Sequence, residues 1–164
     1  MKIGVLSDTH LRRVTDELVR IVEEVFRDTD MILHAGDIAS GEVLDYLEAA
    51  GVIAVRGNMD RYDEAERLPG KRVIRAGGFV LGLIHGYGGP ADLISRLDAE
   101  FEAIDCLVFG HSHQPANLWR GSRLYFNPGS ATIPGRNGIK TAGLLHLNET
   151  LRGEILSLSE ENKT

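Results

Sequence analysis

Short runs of branched apolar residues recur along the first two thirds of the chain, and polar or glycine-containing segments separate them. Runs of this length are typical of strands buried on both faces of a sheet. They predict five strands, at residues 3–6, 31–35, 52–55, 79–84 and 106–109. The segments between several of these runs have a different period, which makes alternation of strands with helices the first expectation.

Residues 15–26 show the period of an amphipathic helix. Their apolar positions follow the i, i+3, i+4, i+7, i+8 pattern of a single buried stripe, and Thr15 or Asp16 can cap the helix. The stripe consists of Leu18, Ile21, Val22, Val25 and Phe26. The pattern predicts one continuous helix.

Two further helices are predicted in the same way. Ser40 is placed to cap a helix that buries Val43, Leu44 and Leu47, and Pro90 suits the first turn of a third helix. The buried stripe of the third helix would be Leu93, Ile94, Leu97 and Phe101. Both helices follow predicted strands, as expected of βαβ units.

The last third of the chain changes character. The segments "RLYFN", "TAGLLHL" and "LRGEILSL" predict strands with no helices between them, and "NET" at 148–150 is a hairpin-type connection. A second hairpin is predicted to turn on Gly77-Gly78. Early βαβ units and late hairpins together predict an α/β fold in which two sheets pack face to face with helices outside.

Length and composition indicate a single soluble domain. The chain has 164 residues, 43% apolar and 26% charged, and we assign residues 1–158 to the domain and 159–164 to a flexible C-terminal tail. The formal charge of −6 disfavours strong non-specific nucleic-acid binding. No window approaches the ~20 apolar residues of a membrane helix, and no signal peptide is recognised, so we expect a cytoplasmic protein without membrane contact.

Polar residues able to bind metal follow five of the predicted strands. At the carboxyl ends of these strands stand Asp8, His10, Asp37, Asn58, Asp60, His85, His111 and His113. Taken singly, an Asp at such a place is more often a turn former and a His more often a structural residue. Because ligands of open α/β sheets bind at this end of the strands, the set as a whole indicates a site.

Metal binding explains the set better than ion pairing does. Apart from Asp60, the set contains two aspartates, Asp8 and Asp37, and four histidines, which would be poorly compensated in a dry crevice because no lysine lies among them. Imidazole and carboxylate are ordinary ligands of divalent metals. With Asn58 the ligands number seven, which is too many for one ion and points to two. A bridging carboxylate would hold such ions about 3.5–4 Å apart.

The series Asp8-x-His10, Gly36-Asp37, Gly57-Asn58, His85-Gly86 and Gly110-His111-x-His113 resembles the calcineurin-like metallophosphoesterases. The "NPGS" at 127–130 and the pair Met59-Asp60 are most similar to the small single-domain phosphodiesterases of that superfamily. The resemblance implies a four-layer αββα sandwich of two mixed sheets flanked by helices. It also implies a hydrolase with a dinuclear metal centre, in which a metal-bridging hydroxide attacks a phosphodiester.

The resemblance further implies how the ligands divide between the ions. The first ion would take Asp8, His10, Asp37 and His113; the second would take Asp37, Asn58, His85 and His111. Asp37 and Asn58 would then be catalytic as well, Asn58 by donating its NH₂ to a phosphoryl oxygen. Two residues apart in an extended segment, His111 and His113 would face one crevice, with Gly110 freeing the backbone for the turn. Mn²⁺ is the leading ion, and Ni²⁺, Fe²⁺, Zn²⁺ or Mg²⁺ would also suit the ligands.

Two positions depart from the family pattern. Met59 stands where many relatives have a histidine that resembles a leaving-group acid, and Tyr87 stands where the closest branch often has a second histidine. Tyr87 and Arg12 are candidates for contact with a small phosphoester substrate. The natural substrate, the preference for diesters over monoesters and any homo-oligomer stay open. A non-catalytic scaffold, as in the retromer subunit of this fold, is the rival, and the complete ligand set argues against it.

Overall fold

The computed structural model describes residues 1–158, and the tail expected at 159–164 lies outside the described residues. The strands are β1 Lys2–Leu6, β2 Met31–His34, β3 Ile53–Ala54, β4 Lys71–Ala76, β5 Phe79–Ile84, β6 Cys106–Val108, β7 Ala116–Arg120, β8 Arg123–Asn127, β9 Thr141–Leu147 and β10 Leu151–Ser157. The helices are α1 Asp16–Arg20, α2 Gly41–Ala49 and α3 Leu93–Asp98. A π-helical segment, Ile21–Val25, continues α1, and Asp63–Arg67 form a 3₁₀ helix.

The strands form two mixed sheets of five strands each. In the first sheet the order is β10-β9-β1-β2-β3, and in the second it is β4-β5-β6-β8-β7. Strand β1 is parallel to β2 and antiparallel to β9, with Ile3 opposite Met31 on one side and Leu145 on the other. Strands β5, β6 and β8 are parallel. The carboxyl ends of the parallel strands hold the loops discussed below.

Three apolar clusters show how the layers pack. The cluster between the sheets joins side chains of the first sheet, such as Val5, to side chains of the second, such as Phe126. A second cluster packs α1 and α2 on the outer face of the first sheet through residues such as Leu18 and Leu44. The third packs Leu97 of α3 on the second sheet. The expected four-layer αββα sandwich is confirmed.

The predicted helix caps and the predicted Gly77-Gly78 hairpin are also confirmed. Ser40 caps α2 by accepting a hydrogen bond from the amide of Val43, and Thr15 caps α1 by accepting from Leu18. Gly77 and Gly78 form a two-residue hairpin loop, both with positive φ, as a type I′ turn requires. Cys106 is a free, buried thiol whose pKa burial raises. Within residues 1–158, no helix is long and apolar enough to cross a bilayer.

The structure corrects two predicted helices. The helix over residues 15–26 widens into a π-helix after Arg20, where the amide of Phe26 donates to the carbonyl of Ile21. The ring of Phe26 then lies so close to Gly4 that a Cβ at Gly4 would be 2.7 Å from it. The third helix begins at Leu93 and not at Pro90, because Asp92 before it adopts a left-handed conformation.

Candidate metal centre

The seven predicted ligands meet where parallel strands of both sheets end. They are carried by the loops after β1, β2, β3, β5 and β6. The loops of the first sheet supply Asp8, His10, Asp37 and Asn58, and those of the second sheet supply His85, His111 and His113. The candidate ligands therefore lie across the seam between the two sheets.

One group of ligand atoms is centred on Asp8. Its Oδ1 atom lies 3.2 Å from Nε2 of His113 and 3.8 Å from Nε2 of His10. The two imidazole Nε2 atoms are 3.2 Å apart. Three ligand atoms thus converge on a space the size of one ion, and these residues are the first set that the resemblance implies, without Asp37.

A second group is centred on Asn58 and His85. Oδ1 of Asn58 lies 3.1 Å from Nε2 of His85 and 3.0 Å from Nδ1 of His111. Oδ2 of Asp37 lies 3.2 Å from Nε2 of His85 and 3.5 Å from Nε2 of His10, which belongs to the first group. Asp37 is therefore placed between the two groups. Asp8 Oδ1 is farther from His85, at 3.9 Å, so Asp8 belongs mainly to the first.

The residues present fit a divalent cation. Oδ2 of Asp8 accepts hydrogen bonds from the Ser7 hydroxyl at 2.6 Å and from the His111 amide at 3.0 Å. Oδ1 is buried and has no hydrogen-bond partner among residues 1–158. A buried carboxylate oxygen that faces imidazole nitrogens is an arrangement that a metal ion stabilises.

Backbone carbonyls fix the orientation of two of the imidazoles. Nδ1 of His85 is 2.8 Å from the carbonyl of Ala35, and Nε2 of His111 is 2.9 Å from the carbonyl of Gly88. A carbonyl can only accept, so each of these nitrogens carries the proton. In the neutral ring, the other nitrogen then presents its lone pair toward Oδ1 of Asn58. Metal-binding histidines commonly have such a hydrogen bond on the nitrogen that does not bind the metal.

The charges of the cluster stabilise one another. Burial raises the pKa of Asp8 and of Asp37, but His113 and His85 outweigh burial, and both pKa values lie below the ordinary range. Burial lowers the pKa of His85, yet Asp37 and Asp8 bring it above its usual value. Asp8 likewise raises the pKa of His113. The carboxylates are thus held in the ionised form that metal binding requires.

Five of the seven predicted ligands adopt left-handed backbone conformations. They are Asp8, His10, Asp37, His111 and His113, with φ between 46° and 70°. Asp and His tolerate this region better than most residues, but it is still strained, and such strain clusters at functional sites. The expectation that His111 and His113 lie in an extended segment is therefore wrong. Two left-handed turns, and not strand alternation, direct both rings into the site.

Glycine is required at two positions because other groups approach closely. A Cβ at Gly110 would lie 1.9 Å from the Ser7 hydroxyl, and a Cβ at Gly57 would lie 2.1 Å from Oδ1 of Asp37. Gly110 does not have a positive φ, so its expected role in freeing the backbone for a turn is also wrong. Its missing side chain gives Ser7 and Asp8 the space that they occupy.

Sequence reasoning missed the structural role of Asp60, although it noted the residue at a strand end. Asp60 is buried, and its carboxylate accepts four backbone hydrogen bonds at 2.8–3.0 Å. The donors are the amides of Asp37, Ile38, Ala39 and Gly57. Asp60 therefore ties the loop of Asp37 to the loop of Asn58. Its position two residues after the predicted ligand Asn58 was the feature of the sequence that could have indicated this role.

His34 connects two of the segments that carry the candidate ligands. It is fully buried; the amide of Gly36 donates to its Nδ1 at 3.1 Å, and its Nε2 lies 3.0 Å from the Thr9 hydroxyl. Burial lowers the pKa of His34 to about 4, so the ring is neutral and Nε2 donates to Thr9. This bond links the end of β2 to the loop after β1.

The residues named for substrate contact lie at the edge of the site. Arg12 is exposed in the loop after His10. Tyr87 is exposed as well, and its hydroxyl donates to Oε1 of Glu100 at 2.8 Å. Met59 is 51% exposed, while its amide donates to Oδ1 of Asp37 at 2.7 Å.

Known proteins are similar to this chain in sequence and in fold. A statistical model of the calcineurin-like phosphoesterase superfamily domain matches residues 1–150. A probable metallophosphoesterase of Methanothermobacter thermautotrophicus is 41% identical over 160 residues, covering 95% of this chain and 92% of its own. Another, from Methanocaldococcus jannaschii, is 36% identical over 164 residues, covering 98% and 83%.

Solved structures agree with these matches. A predicted phosphoesterase from Streptococcus pneumoniae superposes with a TM-score of 0.75 at 27% identity, over 95% of this chain and 88% of that chain. An archaeal phosphodiesterase superposes with a TM-score of 0.74 at 26% identity, over 96% and 100%. Vps29 from Entamoeba histolytica, at 24% identity and a TM-score of 0.70 over 96% and 99%, shares the fold.

Proposed function

The chain belongs to the calcineurin-like phosphoesterase superfamily, and from this premise we propose that it is a dinuclear metal-dependent phosphodiesterase. One observation carries the proposal. The ligand atoms form a series, His113, His10, Asp37, His85, Asn58 and His111, in which each is 3.0–3.5 Å from the next. Such a series is long enough for two neighbouring ions. The archaeal phosphodiesterase of the same fold supports the choice of a diester substrate.

The proposed roles follow from the positions of the side chains. Asp37, between the two groups, would contribute to both ions, and Asp8 mainly to the first. Two bound divalent ions supply Lewis acidity, since they lower the pKa of water and offset phosphate charge. Asn58 turns its Oδ1 toward His85 and His111, which leaves its NH₂ to donate to a phosphoryl oxygen.

A substrate panel tests the proposal. We expect protein stripped with a chelator to be inactive and to regain hydrolysis of bis(p-nitrophenyl) phosphate with Mn²⁺, and less with Mg²⁺ or Zn²⁺. Cyclic nucleotides and p-nitrophenyl phosphate complete the panel, and kcat/KM is measured for each with each metal. A higher kcat/KM for the monoester p-nitrophenyl phosphate than for every diester would contradict the diester assignment. No turnover with any metal would favour a non-catalytic scaffold.

Neither Met59 nor Tyr87, the two positions that depart from the family pattern, provides an evident acid for the departing oxygen. Met59 carries no dissociable proton, and its thioether is only a weak acceptor. The Tyr87 hydroxyl already donates to Glu100, and this bond raises the pKa of Tyr87, which makes it a poor proton donor to an alkoxide. We therefore propose that the leaving group departs as an anion or takes its proton from solvent.

Met59→His should then change the dependence on the leaving group. General acid catalysis commonly contributes about 10²–10⁴-fold, and it matters most when the leaving group is poor. We expect the unmodified enzyme to lose rate steeply from nitrophenyl to alkyl phosphodiesters, and Met59→His to reduce that loss by about 10-fold or more. The measurement is kcat/KM over diesters of graded leaving-group pKa at fixed Mn²⁺.

A flat dependence in the unmodified enzyme, with chemistry shown to be rate-limiting, would mean that another acid acts. Met59→Leu is the matched control, because it replaces the exposed side chain without adding a proton donor. Met59→Leu should leave the slope unchanged.

A further inference from the structure

A groove of about 450 Å³ opens beside the proposed metal site. Asn58 and His85, both predicted ligands of the second ion, line it at one side, and Tyr87, Lys71 and Glu100 also line it. A phosphate bound at the ligands would therefore have one of its ester substituents beside this groove. The groove is a candidate site for the organic part of the substrate.

Three of the polar residues that line the groove, Lys71, Tyr87 and Glu100, compensate one another, and the exposed Arg56 lines it as well. Nζ of Lys71 lies 2.9 Å from Oε2 of Glu100, whose other oxygen accepts from the Tyr87 hydroxyl at 2.8 Å. The Lys71 ammonium also donates to the carbonyl of Glu100 at 2.7 Å. With its charge offset in this way, this part of the groove is suited to a neutral group better than to a second phosphate.

The Tyr87 ring is held in place before any ligand binds. Its hydroxyl is fixed by Glu100, and the guanidinium of Arg96 lies 5.7 Å from the ring centroid. Arg96 also donates to the carbonyls of Tyr87 and Gly89, at 3.2 and 2.6 Å. Arg96 does not line the groove, whereas Tyr87 does and is 44% exposed. Aromatic surface of fixed orientation is thus presented to the groove.

The rest of the lining leaves room for a flat ligand. Ile84 adds an apolar surface, and Gly57, Gly70 and Gly86 contribute no side chains. A Cβ added at Gly70 would meet nothing within 4 Å, so the space in front of this residue is open. An aromatic ring that packs on Tyr87 has the chemistry that these surfaces match.

Resting on the proposed phosphodiesterase function, we propose that this groove binds an aromatic ring on the organic substituent of the substrate, with Tyr87 as the residue that selects it. The ring can belong to an aryl ester or to the base of a nucleotide. Both sources share the chemistry of a flat aromatic face, and the probes below separate them.

The test measures binding to the Mn²⁺-loaded protein by calorimetry, with two matched pairs of ligands. Phenylphosphonate is compared with methylphosphonate, and adenosine 5′-monophosphate with ribose 5-phosphate. We expect the ring-bearing member of at least one pair to bind about 5- to 10-fold more tightly, as aromatic contacts of this kind provide. Preference within the first pair identifies an aryl group, and within the second a nucleobase.

Variants test whether the preference for an aromatic ring arises in the groove. Tyr87→Leu should abolish it by removing the ring, whereas Tyr87→Phe should retain it. Gly70→Leu should also abolish it by filling the groove. Gly89→Leu is the control, because Gly89 likewise has open space around its Cβ position and does not line the groove.

The outcomes separate this inference from the proposed function. Absence of a ring preference in both pairs, or a preference that survives Tyr87→Leu and Gly70→Leu, overturns the groove assignment even if diesters are hydrolysed. A ring preference that both substitutions abolish supports the assignment even if hydrolysis of diesters is never detected, and in that case only the proposed function fails.

Discussion

Asp37→Asn should lower kcat/KM for phosphodiesters by about 10³-fold, because bridging two metal ions is worth several kcal/mol to the transition state. The contacts of the two carboxylate oxygens determine which way the substituted side chain would turn. Oδ1 of Asp37 accepts from the Met59 amide, so the carbonyl oxygen of the substituted side chain would take that position. The new NH₂ group would then replace Oδ2, which faces His10 and His85. A group that cannot bind metal would stand between the two ions.

The metal content of the same variant is a second measurement that tests the bridging role of Asp37. We expect two Mn²⁺ per chain in the unmodified protein under excess metal, and at most one in Asp37→Asn, by elemental analysis. His10→Ala is the comparison, because His10 belongs to the first group, and this variant should keep the proposed ion near Asn58, His85 and His111. Near-unchanged turnover of Asp37→Asn with two bound ions would show that Asp37 does not bridge.

Asp60→Asn should destabilise the fold and the site together. Oδ1 of Asp60 accepts from the amides of Ile38 and Ala39, and Oδ2 accepts from those of Asp37 and Gly57. Whichever way an amide turned, its NH₂ would face two backbone N–H groups. Unsatisfied buried donors cost about 1–3 kcal/mol each, so we expect a loss of about 3 kcal/mol or more. The melting temperature should fall by about 10 °C.

The activity of the Asp60 variant distinguishes a site role from general stability. At a temperature where the variant is fully folded, kcat/KM should still be about 10²-fold lower, because misplacement of catalytic groups by an ångström has that effect. Asp63→Asn is the matched control, since Asp63 is an exposed carboxylate on the neighbouring 3₁₀ helix. A melting temperature for Asp60→Asn within about 2 °C of the control would refute the four-bond role.

The layers could be predicted from the sequence because they depend on simple periodicities, and the candidate ligands could be placed because they follow the strands that those periodicities locate. Apolar runs locate the buried strands, and Asp8, Asp37 and His85 follow those strands at the end where ligands bind. The way the loops direct the side chains could not be predicted. The left-handed conformation of Asp8 is accompanied by a bond from its amide to the Gly36 carbonyl, a contact between segments far apart in the chain.

Strand β7 and the π-helical segment were not predicted, for other reasons. Strand β7 has little apolar alternation, since Trp119 is 51% exposed and the strand lies at the edge of its sheet. All five of its residues are paired with β8. The π-helical segment preserves the apolar stripe of the predicted helix, and the spacing of Ile21, Val22 and Val25 is compatible with either form. The hydrogen bond from the Phe26 amide to the Ile21 carbonyl distinguishes them.

The pairing of β1 with β9 sets the order in which the chain can assemble. Strand β1 carries the loop of Asp8 and His10, yet one of its two partners begins at Thr141. During synthesis on the ribosome, β1 cannot form this pairing until the chain has been made as far as β9. Folds dominated by such distant contacts form slowly and expose unpaired edges meanwhile. The proposed metal centre, which draws on loops from both sheets, would be among the last parts of the protein to mature.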